Sequence, residues 1–190
     1  GYTGAQVARR ILDDNGLENV AIELTPGELT DHYDPRVRKL RLSHSIYNGR
    51  SLASLGVAAH EAGHALQHAT GYAPLHIRNN IAPVAQFGSS LSFPLLILGI
   101  IMSAPSLVQL GVLLFTGVVL FQLITLPVEF NASNRALNIL VADGFISGDE
   151  VTGTKKVLSA AALTYVAAAL MAALNLVRLL LISGMLGRRD

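Results

Sequence analysis

Residues 57–68 read VAAHEAGHALQH. Three histidines and a glutamate fall within about three turns of helix, in a stretch otherwise dominated by small and apolar residues. Alanine favours helix, and the flanks supply the ends: Ser51 or Ser54 caps the start and Gly71 stops it. On this helix His60 and His64, four residues apart, share one face, so their imidazoles can bind a single metal ion. Glu61 lies about 100° round from His60 and need not be a ligand; it is placed to contact a water on the metal and act as general base. His68 continues the face, but eight residues rise about 12 Å, too far for two bonds of about 2 Å to one ion, so His68 is a supporting residue. The longer metzincin pattern fails, since Gln67 and Thr70 stand where it needs glycine and histidine. A buried helix with hydrogen-bonded histidines is the alternative reading.

A zinc site of this kind needs a third protein ligand and a fourth position for water. The chain has no cysteine, so the ligand must be histidine or carboxylate. No acid lies between Glu61 and Glu129. Glu129 stands in LPVEFNASNRAL, residues 126–137, at the end of a long apolar run, where a carboxylate is costly unless paired or metal-bound. Pro127 can reorient the helix there, and Glu129, Ala132, Ser133 and Ala136 share one face, the alanines leaving room for the HEAGH helix. His60, His64 and Glu129 then make a His2Glu set. The competing reading pairs Glu129 with Arg135. Asn131 or Ser133 is placed to orient a ligand, and Arg135 does the same or only supports the fold. Candidates for stabilising an oxyanion are His32, Tyr33 and His44, each equally readable as a turn or strand residue.

Of the 190 residues 51% are hydrophobic and 14% charged, against about a quarter charged in soluble domains. From Asn79 to Val128 there is no Asp, Glu, Lys or Arg, and from Val157 to Gly187 the single charge is Arg178. Soluble helices need a wet face, so the lipid bilayer is the expected surroundings. Residues 84–102 (bent at Pro94), 107–126 and 157–186 are the expected spans, with a turn at 103–106. Gly111, Gly117, Ala160 to Ala162 and Ala167 to Ala169 are small enough for close helix approach. The net charge of +1 carries no nucleic-acid signal.

The first 70 residues are more polar. TGAQVARRILDDNG predicts a helix capped by Thr3, with Val7, Ile11 and Leu12 as its apolar stripe and Gly16 at its end. VAIELTPGEL predicts a strand broken at Pro26-Gly27, DHYDP a polar turn, and KLRLSHSIYN a strand with Leu40, Leu42, His44 and Ile46 on one side, whose free edge would hold an extended peptide. SGDEVTGTKK reads as a loop or short helix. The fold class expected is α+β: a small gluzincin-like helix-strand-helix peptidase core in residues 1–80, merged with a helical transmembrane bundle in residues 81–190 that carries the third ligand.

Five segments in this order, GYTGAQVARRIL, LTDHYDP, KLRLSHSIYN, SLASLGVAAHEAGHALQ and LPVEFNASNRAL, resemble the YugP-type membrane zinc metallopeptidases. The resemblance implies a small membrane-embedded neutral zinc peptidase with one Zn2+ per chain, His60, His64 and Glu129 at its ligand positions and Glu61 as its base. Members usually carry a further apolar helix upstream of the GYTG stretch, which implies that this chain, starting at Gly1 without methionine, is a fragment. The expected partners are peptide or protein substrates, membrane proteins included. Two alternatives remain. An intramembrane protease of the site-2 type would take its third ligand from VADGF, at Asp143. A membrane scaffold would bind metal, or none, without hydrolysis. Arg78, Arg135, Lys155 and Lys156 flank the spans on the side of the metal residues, which places a multi-pass chain in the cell membrane with that site cytoplasmic.

Overall fold

The computed structural model describes residues 1–184. Six helices and three strands follow in the order α1 (Gly4–Asp14), β1 (Ala21–Thr25), β2 (His32–Asp34), β3 (Lys39–Ser43), α2 (His44–Tyr47), α3 (Leu52–Ala69), α4 (Ala73–Ile101), α5 (Pro105–Ala142) and α6 (Asp149–Ile182). The protein is α+β, mostly helical with one small sheet. Its residues group into two compact units: residues 1–72 with 128–163, and residues 73–127 with those from 164 onward.

Local chemistry sets the ends of the elements in the first unit. Thr3 and Gln6 form a reciprocal capping box at the start of α1. The Ser51 side chain accepts from the Ser54 amide to start α3. Gly16 and Gly71 take the left-handed conformation just past α1 and α3. The strands lie in the order β1-β3-β2, β3 parallel to β1 and antiparallel to β2. Leu40 and Leu42 of β3 are fully buried and join Val7, Ile11 and Leu12 of α1 and Ala58, Ala59 and Ala62 of α3 in one core. Arg36 donates to Asp34 through its backbone amide and its guanidinium, stapling the β2–β3 turn. That side-chain hydrogen bond holds the Asp34 carboxyl down to about 2.

Four expectations require correction. The DHYDP stretch contains a strand: His32, Tyr33 and Asp34 pair with Arg41, Leu40 and Lys39. The strand expected over KLRLSHSIYN stops at Ser43, and His44–Tyr47 form a short helix. The Asp31 carboxylate takes both the Ser43 amide and its hydroxyl, so the next residues leave the ladder. Because β3 is the central strand, its edges are both paired, and the sheet's open edges belong to β1 and β2. Residues 149–156 are the start of α6, with Asp149 and Glu150 in the first turn where the helix dipole favours acids. Residues 185 and 186 of the third expected span, and the tail arginines, lie outside the described residues.

The helix α3 is central to the first unit because it is made of small residues. A Cβ on Gly56 would touch Thr154 of α6, and one on Gly63 would lie 2.9 Å from the Ala132 carbonyl oxygen of α5. Ala132 and Ala136 are fully buried on the α5 side, as their shared face predicts.

Among the described residues, α4, α5 and α6 are the three helices long and apolar enough to cross a membrane. The α5 helix has 38 residues, roughly 57 Å at 1.5 Å per residue, more than a bilayer core of about 30 Å requires. The unit boundary in α5 falls after Pro127, so the helix runs on into the first unit and delivers Glu129 there. Phe87, Ile97, Leu113, Leu120, Leu170 and Met171 are exposed, an apolar exterior that suits lipid rather than water. Gly111 meets the Ser92 carbonyl and Leu96 of α4, the close approach expected of it, whereas nothing lies within 4 Å of a Cβ on Gly117.

Replacing Gly63 with alanine is expected to destabilise the protein by about 1–3 kcal/mol, since two backbones must separate. Gly117→Ala should be neutral or slightly stabilising through helix propensity. Thermal unfolding in detergent compares the two; equal midpoints would show that the α3–α5 approach does not limit stability.

Candidate metal centre

His60 and His64 lie on successive turns of α3, their rings 4.8 Å apart and nearly perpendicular. Glu129 comes from α5, and all three belong to the first unit. One ligand atom from each of the three falls within 4.8 Å of the others. The nearer carboxylate oxygen, Oε2, stands 3.2 Å from His60 Nε2 and 3.6 Å from His64 Nε2. A tetrahedral ion with bonds of about 2.05 Å spaces its ligand atoms about 3.3 Å apart, and these separations are compatible with that spacing. Glu129 is 2% exposed and His64 8%, so both groups are largely screened from bulk solvent.

The other imidazole nitrogens are engaged. His60 Nδ1 lies 3.1 Å from Ser133 Oγ, one turn along α5 from Glu129. His64 Nδ1 lies 2.9 Å from Gln67 Oε1. Each Nε2 is thereby turned toward the Glu129 carboxylate, the side from which a metal would be bound, an arrangement in which outer hydrogen bonds aim the rings. Two imidazoles and a carboxylate match the protein donors zinc takes in hydrolytic sites. Glu61, half-buried on α3, accepts no hydrogen bond among the described residues. Its charge is nonetheless close enough to act on His64.

The remaining sequence candidates divide. Ser133 contacts His60 directly. Asn131 accepts from Gln67 and from Arg135, so Arg135 bonds Asn131 and makes no ion pair with Glu129 among the described residues. His32 engages the Thr30 carbonyl and Arg41, and Tyr33 bonds His68 through its hydroxyl. His44 is exposed on α2. None of these last three has a hydrogen bond to His60, His64 or Glu129 among the described residues. Asp143, the alternative ligand, lies in the turn after α5 and lines a cleft with Arg9, Arg10 and Tyr2, while the histidine pair meets Glu129.

Sequence reasoning passed over Gln67 and Gly63. Gln67 is a fully buried amide in an alanine-rich helix, three residues after His64. That offset puts it beside the ring on the same face, which is the signal that marks it. Gly63 is the residue between the two histidine turns where α5 comes closest.

A family model described as "Putative neutral zinc metallopeptidase" matches residues 1–184. The chain is 55% identical over 183 residues to "Putative membrane protease YugP" of Bacillus subtilis (strain 168), covering 96% of this chain and 81% of that protein. No solved structure matches.

Burial opposes a charge on His64, but the hydrogen bond it donates to Glu129 and the charges of Glu61 and Glu129 together outweigh it, and the imidazole pKa is raised. A metal must displace that proton. The metal-free ring holds its proton to higher pH than a free imidazole, so zinc affinity should still be rising with pH beyond about 6.5. Competition against a chelator of known affinity across pH measures this; a plateau reached below that value would contradict the electrostatics.

Proposed function

Since the chain belongs to the neutral zinc metallopeptidase family, as relative of a membrane protease, we propose that it is a membrane-embedded zinc-dependent endopeptidase. The observation that carries this reading is the convergence of His60, His64 and Glu129 within 4.8 Å, with Glu61 one residue from the first ligand. Three apolar helices and their exposed leucines and phenylalanines support a membrane setting.

In this reading His60, His64 and Glu129 hold one zinc ion. Zinc, when bound, supplies Lewis acidity to a water molecule and to the scissile carbonyl. Glu61 accepts a proton from the attacking water and passes it to the departing nitrogen. The water oxygen bonds to the carbonyl carbon, the C–N bond breaks, and the products are a carboxylate and an amine. Ser133 holds the His60 ring while this happens, so that the ligand does not rotate as charge builds. The substrates are peptides or proteins, membrane proteins included.

Replacing Glu61 with glutamine removes the proton acceptor but none of the three ligands. The Glu61→Gln protein should keep its zinc and lose cleavage of a casein-type substrate by at least about 100-fold, and a chelator should abolish cleavage by the wild type. Undiminished cleavage by Glu61→Gln would remove Glu61 from the reaction. Zinc bound without any cleavage by the wild type would favour a scaffold.

A further inference from the structure

The helix that carries both histidines buries one uncharged polar side chain completely. Gln67 is 0% exposed, and a buried amide is tolerated only when its hydrogen bonds are made. Gln67 makes three. Its Nε2 donates to the Val128 carbonyl at 2.8 Å and to Asn131 Oδ1 at 3.0 Å, and its Oε1 lies 2.9 Å from His64 Nδ1. The orientation of the amide is determined by its partners. A backbone carbonyl can only accept, so the end facing Val128 must be the NH2 group. Asn131 Oδ1 also receives Arg135 Nε at 2.8 Å. A guanidinium can only donate, so the Asn131 atom is the oxygen. Both Gln67 N–H groups are therefore committed to acceptors, and Oε1 has only lone pairs to offer His64.

We infer that Gln67 is a positioning residue of the metal centre: by accepting from His64 Nδ1–H it fixes the ring proton away from the metal, and by donating to Val128 and Asn131 it straps α3 to the turn of α5 that bears Glu129. The inference rests on the reading of His64 as a metal ligand. His60 is held differently. Its partner, Ser133, has a hydroxyl that can donate or accept, so that contact aims the ring without choosing its tautomer. Glu129 also offers only lone pairs, but to the Nε2 side of the rings, so among the described residues Gln67 is the acceptor placed to hold a proton on Nδ1 of His64. The two donor contacts reach 61 and 64 residues along the chain and the acceptor contact three, which joins the orientation of one ligand to the placement of another.

Two substitutions separate the tasks. Gln67→Leu keeps the volume and removes both the acceptor and the donors. Gln67→Glu keeps an acceptor for His64 and loses the donors to α5. Zinc affinity is read by chelator competition, stability by thermal unfolding, and the tautomer of His64 by nitrogen NMR of the metal-free protein in alkaline detergent solution. Gln67→Leu should lower zinc affinity by about 10–100-fold and move the neutral ring's proton off Nδ1. Gln67→Glu should retain wild-type affinity or exceed it, with the proton on Nδ1, even where its melting temperature falls. Should Gln67→Leu fail to fold, Gln67→Met replaces it with the same expectation. Unchanged affinity in the leucine or methionine variant, equal losses in it and Gln67→Glu, or a wild-type proton on Nε2 overturns the assignment. If the wild type binds no zinc, the proposed function falls, and the metal-free tautomer still decides the role of Gln67.

Discussion

Everything at the metal centre depends on how closely two helices can approach. A Cβ on Gly63 would stand 2.9 Å from the Ala132 carbonyl oxygen, so α3 and α5 meet nearly backbone to backbone between the turns that carry His60 and His64. Only at that separation do two imidazoles from one helix reach a carboxylate from the other at 3.2 and 3.6 Å. Larger residues at 63 or 132 would leave three good ligands on the same faces, too far apart to share an ion. The burial of Ala132, Ala136 and Glu129 follows from the same approach.

The approach also explains why a greasy helix bears a carboxylate. α5 is longer than a bilayer requires, and beyond Pro127 it belongs to the compact unit formed with residues 1–72. Glu129 is the second residue of that extension. Its charge is met by two imidazoles rather than by lipid, which resolves the cost of placing an acid directly after an apolar run. The polar groups around it are then satisfied in turn: Ser133 on His60, Gln67 on His64, Asn131 between Gln67 and Arg135. A connected set of this kind holds its members in one arrangement, since each buried donor or acceptor that lost its partner would be destabilised.

Much of this was legible in the chain. The i, i+4 spacing of His60 and His64 is a property of helix geometry alone, and Glu129 is the first acid after Glu61, so elimination led to it. Caps at Thr3 and Ser51 were readable because capping is local chemistry. What was hidden depends on partners distant in sequence. Asp31, Asp34 and Pro35 are turn-forming types, but residues 32–34 are drawn into a strand by pairing with β3. Ser43 ends that strand because Asp31 reaches its amide, a contact no alternation pattern encodes. Gln67 looked like a departure from another peptidase signature, and its use appears only once Val128 and Asn131 are beside it. The same holds for Gly111 and Gly117: both read as small residues suited to close packing, and only one of them is met by a neighbouring helix.

The central claim is that His60, His64 and Glu129 close around one zinc ion. Metal analysis of the purified protein and of two variants, Glu129→Ala and Asp143→Ala, tests it most directly. The account predicts one zinc per chain in the wild type, retained in Asp143→Ala and lost in Glu129→Ala, with all three proteins folded. Zinc retained without Glu129, or lost without Asp143, would contradict it.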